Sequence, residues 1–276
     1  MPIITLLTDY GSRDAYVGAV KGVILGIAPE ATIIDITHEI DPFNVAHASF
    51  VMRQAWSWFP AGTVHVAIVD PGVGTDRRVI IGKYEGQCIV APDNGLVTWL
   101  HRDFVCEGLH VAEDRRYFLP KVSTTFHGRD IMAPVGAHLA NGIKLRNFGR
   151  VVDRLEILPI PHRADREGAC WRGAVVYIDR FGTLVTNLHE DQWPGPQAER
   201  WSVVSVAGAP IGPVHSTFAE VPIGSPVAYF GGAGLLEIAI NLGRAVDQFG
   251  SSPSVEVLVQ PDTPKSGAET CLTPKR

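Results

Sequence analysis

The pattern of apolar and polar positions changes character along the chain. In the first half, short apolar runs at 3–7, 32–36 and 64–69 have the length of buried strands. Between them, residues 16–28 and 47–58 repeat apolar side chains every three to four positions, which indicates amphipathic helices. Strands that alternate with helices are typical of folds in which helices cover a sheet. The pattern therefore predicts an α/β domain with a largely parallel central sheet.

A second pattern begins near residue 158, where a polar stretch that contains prolines indicates a linker. Beyond it, short apolar runs are separated by glycine and proline, and helical periodicity is scarce. These features predict a smaller all-β domain, either a barrel or a sandwich. We expect the α/β domain over residues 1–158, the β-rich domain over 165–260, and a disordered polar tail over 261–276.

Composition and charge narrow the classes of function. The chain has 276 residues, of which 46% are hydrophobic, enough to form two domain cores. A net charge of -5 argues against a nucleic-acid-binding protein, because phosphate-binding surfaces are usually basic. No apolar run approaches the ~20 residues of a membrane span, and the first residues lack the features of a signal peptide. Four widely spaced cysteines suggest free thiols, so we expect a cytoplasmic protein that binds neither membranes nor nucleic acids.

Three polar clusters follow predicted strands of the α/β domain, at the edge where open parallel sheets bind ligands. Asp9 comes directly after the first strand and suits a ribose diol, although it equally suits a helix cap or a turn. Asp70 and Arg77 flank a tight loop and can meet across it, either as reactive groups or as an ion pair that braces the loop. His127 precedes a predicted helix, where a lone histidine is more often structural than catalytic.

Two further segments of the β-rich domain are candidate ligand contacts. Asp179 ends a strand in a turn and is placed to pair with an ammonium group. The glycine-rich residues 231–234 allow the backbone to lie close against a flat ligand such as adenine. Both segments also suit ordinary turns, so their sequence leaves the two interpretations open.

Most of these candidate residues lie within six sequence blocks. They are TDYGSRDAYVGAVKG, VDPGVGTDRR, APDNG, TFHGRDIMAPVGAHLA, YIDRFGTLVTN and GLLEIAINLG, and they occur in this order as far as about residue 260. In these blocks the sequence resembles the S-adenosylmethionine hydroxide adenosyltransferases, also called adenosylmethionine hydrolases, which are relatives of the fluorinases and chlorinases. The resemblance implies hydrolysis of S-adenosyl-L-methionine to adenosine and L-methionine, with water attacking the ribose C5′ and methionine leaving as a neutral thioether.

The resemblance also implies an assembly and a set of site residues. It implies a barrel-like C-terminal domain and a homotrimer that binds its small-molecule substrate between domains of neighbouring subunits, with no metal and no cofactor. The implied catalytic residues are Asp70, Arg77 and His127. The implied substrate-binding residues are Asp9, Asp14, Phe43, Val73, Phe126, Asp179, Thr183, Gly232 and Leu242.

Within this set the resemblance implies separate roles for the parts of the substrate. Asp9 would hold the ribose hydroxyls, and Phe43 and Phe126 would flank the ligand. Asp179 would bind the substrate ammonium, and the backbone near Leu242 would recognise adenine. The resemblance does not decide which of the three catalytic groups takes the proton from water.

Several positions distinguish this chain from its halogenating relatives and from the usual pattern. Halogenating members have a tyrosine and a threonine in the loop at 70–73, and they bind halide beside a serine where this chain has Gly128. An insertion that follows this loop in fluorinases is absent, and all three differences favour water as the nucleophile. Thr183 replaces the usual asparagine, and Gly232 or Ala233 stands where the family often has serine. We therefore expect an altered affinity for the methionine end of the substrate.

Two other functions compete with hydrolysis. A protein that only binds adenosine or S-adenosylmethionine is compatible with the departures at Thr183 and Gly232, but the combination of Asp70, Arg77 and His127 argues against it. A halogenase that makes a 5′-halo-adenosine is disfavoured by the residues at positions 70 and 128. The products formed from S-adenosylmethionine in the presence and absence of chloride would distinguish the three functions.

Overall fold

The chain folds into two domains, as the change in sequence pattern predicts. The computed structural model describes residues 1–168, 170–192, 202–250 and 255–261. Two compact units cover residues 1–159 and 160–276, so the division falls inside the stretch that we interpreted as a linker. The tail that we expected to be disordered lies outside the described residues from position 262 onwards.

The N-terminal domain is built on one six-stranded sheet. Its elements are β1 (Ile3–Thr8), α1 (Tyr16–Ile27), β2 (Thr32–Thr37), α2 (Val45–Trp56), β3 (Val64–Ile68), β4 (Val79–Tyr84), β5 (Gln87–Pro92), α3 (Thr98–Asp103), β6 (Cys106–Val111) and α4 (Ala133–Ala140). The strand order is β2-β1-β3-β5-β4-β6. Strands β2, β1, β3 and β5 are parallel, whereas β4 is antiparallel to both of its neighbours. The prediction of a largely parallel sheet is therefore confirmed.

Helices cover both faces of this sheet, which explains why its central strands are mostly apolar and do not alternate between apolar and polar residues. All five residues of β3 are buried. Val66 packs into one core cluster and Ala67 into another, because successive side chains of a strand point to opposite faces. Thr8 of β1 is in register with Ile68 of β3, so the two chain segments that follow these strands emerge side by side.

Helix α2 shows how local sequence sets an element boundary. Asn44 caps its N-terminus, because the Asn44 side chain accepts a hydrogen bond from the His47 backbone at 3.0 Å. Ala48, Met52 and Trp56 recur every four residues and are fully buried. The periodicity alone placed the start of this helix two residues too late, since the cap was not recognised.

A buried polar network joins three strands of the N-terminal sheet. His65 on β3 lies 2.7 Å from the Thr5 hydroxyl through Nδ1 and 2.9 Å from Gln87 Oε1 through Nε2. Because the Gln87 oxygen only accepts, the neutral imidazole carries its proton on Nε2 and accepts from Thr5 on Nδ1. His65 is fully buried, and desolvation lowers its pKa to about 4.

This network predicts a loss of stability in mild acid. The unfolded chain binds a proton at His65 near its ordinary pKa of 6.5, whereas the folded protein does so only near 4, so stability falls as the pH drops through that interval. The contribution of His65 to this fall is about 3 kcal/mol, at ~1.4 kcal/mol per pH unit. The measurement is the free energy of unfolding in urea from pH 7.5 to pH 4, compared with a His65→Asn variant. Equal pH dependence in both proteins would contradict the assignment.

The C-terminal domain is built on a single curved sheet of mainly antiparallel strands. Its elements are β7 (Asp165–Glu167), β8 (Cys170–Ile178), β9 (Leu184–His189), β10 (Ser202–Val206), β11 (Ala209–Gly212), β12 (Val214–His215), β13 (Pro226–Phe230), β14 (Leu235–Ile240), α5 (Ala245–Phe249) and β15 (Glu256–Pro261). The strand order is β11-β10-β15-β8-β9-β14-β13-β12, with β7 beside β8. The two ends of the sheet approach each other, because β11 contacts β13 and β10 contacts β12. The sheet is therefore barrel-like and almost closed. The helix α5 shows that the expected all-β description was too strict.

Two further expectations concern membranes and thiols. None of the helices in the described part of the chain has the length and apolar character needed to cross a bilayer. Cys88 and Cys106 are free thiols, whereas Cys170 is disulfide-bonded, which differs from the free thiols expected from sequence. Spacing along the chain does not show which cysteines meet in space, and the cytoplasmic location stays a prediction.

Candidate active site

The three predicted catalytic side chains form one connected cluster at the edge of the N-terminal sheet. Arg77 donates from Nε to Asp70 Oδ1 at 2.8 Å and from Nη2 to Asp70 Oδ2. The same Nη2 lies 2.9 Å from Nδ1 of His127. The Asp70 and Arg77 side chains are only 7% and 9% exposed. A paired carboxylate, a guanidinium and an imidazole therefore share one largely buried position.

The loop after β3 is fixed by contacts to two other segments. Asn94, in the block APDNG, donates from its side chain to the carbonyl of Val69 at 2.9 Å and so holds the residue before Asp70. Gly74 has a φ of +81°, and a Cβ there would lie 2.5 Å from the carbonyl oxygen of Thr124. Only glycine allows this approach, which joins the Asp70 loop to the segment that carries His127.

His127 is presented by an irregular turn. The first two residues of the predicted helix 131–139 belong to a π-helical turn, Gly128–Met132, and the α-helix begins at Ala133. Turns of this kind often occur at functional sites. Asp130 is fully buried in this turn and accepts hydrogen bonds from the Ser123 backbone at 2.7 Å and from Arg129 Nε at 2.6 Å. These contacts close the loop that leads to His127. The sequence analysis did not single out Asp130, although it lies in the same block.

The hydrogen bonds of the cluster decide the protonation of His127. Arginine can only donate, so Nδ1 of His127 must accept from Arg77, and the neutral ring then carries its proton on Nε2. Burial lowers the pKa of His127, and the nearby charge of Arg77 lowers it further, so the ring is neutral at neutral pH. Asp70 presents negative charge in the same cluster. The arrangement offers one N–H donor and one carboxylate acceptor to a water molecule.

A cavity of about 370 Å³ opens beside this cluster. Five predicted residues line it: Asp9, Phe43, Asp70, Val73 and His127. Its other lining residues were not predicted and are Tyr10, Tyr16, Pro42, Thr125 and Gly128. All five of these missed residues lie inside the recognised sequence blocks or beside Phe43, so their neighbours in sequence were the available signal.

Two predicted substrate-binding residues of this domain do not line the cavity. Asp14 is exposed. Phe126 packs edge-on against Tyr10 and Tyr16, with ring centroids 5.8 and 5.4 Å apart. Arg129 lies over the Phe126 ring at 4.7 Å. Phe126 therefore supports the wall of the cavity from behind.

Asp9 and Phe43 form a small rigid unit at the rim. The Asp9 carboxylate accepts a hydrogen bond from the Phe43 backbone at 2.9 Å. Phe43 has a φ of 66°, in the left-handed region that bulky side chains avoid, and its side chain is 71% exposed. A strained, exposed aromatic ring beside a carboxylate is typical of a ligand contact.

The C-terminal domain has a cavity of its own, of about 590 Å³. Asp179, Thr183 and Leu242 line it, whereas Gly232 is exposed and lies outside the lining residues. Oδ1 of Asp179 accepts hydrogen bonds from the backbone of Phe181 at 2.9 Å and of Thr183 at 2.8 Å, which leaves Oδ2 for a ligand. Thr183 thus contributes to this turn through its backbone N–H, which every residue except proline provides.

Residues that the sequence analysis did not predict complete the second cavity. Phe218 and Tyr229 line it with ring centroids 4.6 Å apart. The Tyr229 hydroxyl donates to Glu237 at 2.8 Å. Leu242 has a φ of 55° and is 83% exposed, the same combination of strain and exposure as Phe43. This cavity therefore combines apolar surfaces with the free oxygen of Asp179.

The chain is similar to known proteins over most of its length. Residues 4–149 match the family model of the SAM hydroxide adenosyltransferase N-terminal domain, and residues 173–258 match that of the C-terminal domain. An (R)-S-adenosyl-L-methionine hydrolase of Thermus thermophilus is 37% identical over 92% of this chain and 98% of its own length. A fluorinase of Actinoplanes is 28% identical over 87% of this chain and 91% of its own length. A crystal structure of an uncharacterized conserved protein from Thermotoga maritima has a TM-score of 0.87 at 37% identity and covers 93% of this chain and 99% of that one.

Proposed function

Because the chain belongs to the SAM hydroxide adenosyltransferase family, we propose that it hydrolyses S-adenosyl-L-methionine to adenosine and L-methionine. The observation that carries the proposal is the Asp70–Arg77–His127 cluster beside a cavity lined by Asp9. The related hydrolase is named for the (R) form of the sulfonium, and we extend this preference to the present chain.

The reaction needs an activated nucleophile and no acid for the leaving group. The bond between ribose C5′ and sulfur breaks, and its electron pair stays on the sulfur, so methionine leaves as a neutral thioether. A bond forms between C5′ and the water oxygen, and the water loses one proton. Water is a poor nucleophile because its pKa is ~15.7, so catalysis depends on orienting it and receiving its proton. The mechanism uses no metal and no cofactor.

Each member of the cluster has a separate task in this mechanism. Nδ1 of His127 is already occupied by Arg77, so the proton on Nε2 is available to be donated to the water oxygen. Asp70 is then the acceptor of the proton that the water loses. Arg77 holds both groups in place, and its charge stabilises the hydroxide that develops during the attack.

The space around Gly128 supports water over halide as the nucleophile. A Cβ at position 128 would lie 2.6 Å from the Tyr10 hydroxyl and 2.9 Å from Cγ2 of Ile68. A serine at this position therefore does not fit without movement of its neighbours. The carboxylate of Asp70 in the same cavity repels an anion such as chloride.

The remaining site residues bind separate parts of the substrate. Asp9 binds the ribose diol and Phe43 flanks the ligand, while Oδ2 of Asp179 takes the ammonium. The backbone near Leu242 recognises adenine. We extend the family's homotrimer to this chain, with each site completed by a neighbouring subunit. The exposed apolar side chains at the cavity rims, Phe43 at 71%, Phe181 at 75% and Leu242 at 83%, support this because such surfaces mark interaction sites.

The experiment uses purified protein and the separated (R) and (S) sulfonium epimers in ¹⁸O-labelled water, with and without chloride. We expect adenosine that carries the label on its 5′ oxygen, faster formation from the (R) epimer, and no dependence on chloride. Mass spectrometry identifies the products. A 5′-chloro product would assign the chain to the halogenases. Retention of unreacted substrate on the protein would support the binding protein considered above.

A further inference from the structure

Tyr10 places a polar atom in the cavity that the proposed mechanism has not yet used. Its hydroxyl lies directly over Gly128, at 2.6 Å from the position that a Cβ would take there. Tyr10 lines the same cavity as Asp70 and His127. Among the described residues, no side chain or backbone group makes a hydrogen bond with this hydroxyl, although the backbone nitrogen of Tyr10 donates to Thr8.

The ring that carries the hydroxyl is held from several sides. Tyr10 packs against the rings of Tyr16 and Phe126, with centroids 5.6 and 5.8 Å away. Its backbone nitrogen donates to the Thr8 hydroxyl at 3.2 Å. Gly128 leaves room for the oxygen where any side chain would displace it. The hydroxyl therefore has a defined position, and a polar group that is fixed without a protein partner is suited to bind a ligand or a water.

From this geometry we propose that Tyr10 is a further catalytic residue, whose hydroxyl oxygen accepts the second hydrogen of the nucleophilic water. The proposal rests on the hydrolysis proposed above. One hydrogen of the water then points to Asp70 and the other to Tyr10, while Nε2 of His127 donates to one lone pair. The second lone pair is left for C5′. This arrangement uses both hydrogens and both lone pairs of the water.

The protonation of Tyr10 fits this role. Burial raises the pKa of its hydroxyl, and the charges of Asp9 and Asp70 raise it further, so Tyr10 stays neutral and does not compete with Asp70 for the proton. Chloride has no hydrogen to give to either acceptor. The carboxylate of Asp70, which only accepts, therefore selects water over chloride, and Tyr10 orients the water.

A Tyr10→Phe variant tests the proposal. It removes one oxygen and keeps the ring packing, so we expect kcat to fall about 10-fold with KM for S-adenosylmethionine nearly unchanged, because one hydrogen bond to the nucleophile is lost. Tyr117→Phe is the matched control, since Tyr117 packs on Phe148 and lies outside the cavity. We expect this control to keep the kcat of the unchanged protein. Thermal unfolding of both variants shows whether the fold is retained.

A second variant keeps the test independent of folding. Gly128→Ala pushes a methyl group against the Tyr10 hydroxyl, so it should lower kcat more in the unchanged protein than in the Tyr10→Phe background. Equal effects in both backgrounds, or a Tyr10→Phe variant with unchanged kcat, would overturn the role of Tyr10. In either case, formation of labelled adenosine by the unsubstituted protein would still support the proposed hydrolysis. An unchanged protein that forms no labelled adenosine would overturn both proposals.

Discussion

An Asp70→Asn variant is expected to lose about 10³-fold in kcat, because general base catalysis typically contributes ~10²- to 10⁴-fold. Asparagine has the same shape but cannot take a proton from water. Its amide also turns an N–H donor towards Arg77, where the carboxylate accepts two hydrogen bonds. KM should change far less than kcat, since Asp70 acts on the water and not on the substrate. Steady-state rates of adenosine formation, measured at saturating substrate, check this expectation.

The same loop provides the control for this experiment. Asp76 is exposed and lies six residues further along the loop, so Asp76→Asn makes the identical chemical change outside the cluster. We expect its kcat to match that of the unchanged protein. Because the Asp70 variant leaves a largely buried arginine without its carboxylate partner, thermal unfolding must be measured alongside the rates. A folded Asp70→Asn protein with nearly full kcat would show that another group takes the proton.

The sequence predicts the N-terminal sheet well because its strands obey simple rules. The strands β1 and β3 are mostly apolar, their polar residues Thr5 and His65 pair with each other, and the structure buries both strands from both sides. Strand β9 breaks this rule and was not predicted. Its polar residues Thr186 and Asn187 are buried, and their partners are the Leu236 carbonyl at 2.8 Å and the Ala174 backbone nitrogen at 2.8 Å. Those partners are distant in sequence, so no local pattern reveals them.

The candidate site also has features that the sequence predicts and features that it does not. The residues alone left Asp70 and Arg77 open as an ion pair that braces the loop, and only the six sequence blocks together suggested a reactive cluster. The left-handed backbone of Phe43 and Leu242 could not be predicted, because these residue types disfavour it. The position of the Tyr10 hydroxyl over Gly128 also depends on the meeting of two segments more than a hundred residues apart.

The second large effect is expected from Arg77→Lys. Lysine keeps the positive charge but has no planar fork, so it cannot bind both oxygens of Asp70 and Nδ1 of His127 together. Asp70 then loses its orientation, and His127 loses the donor that fixes the proton on Nε2. We expect kcat to fall about 10²-fold, the typical effect of removing one preorganised donor from a catalytic site.

The neighbouring arginine provides a matched control for this substitution. Arg78 makes a similar two-nitrogen contact, with a carboxylate that belongs to Asp93, and it also donates to the carbonyl of Arg154 at 2.7 Å. Arg78→Lys should therefore lower thermal stability while kcat stays within about threefold of the unchanged protein. If both lysine variants lost kcat equally, the loss would come from the loop as a whole. If only Arg77→Lys lowered kcat, water attack depends on the Arg77 guanidinium that joins Asp70 to His127.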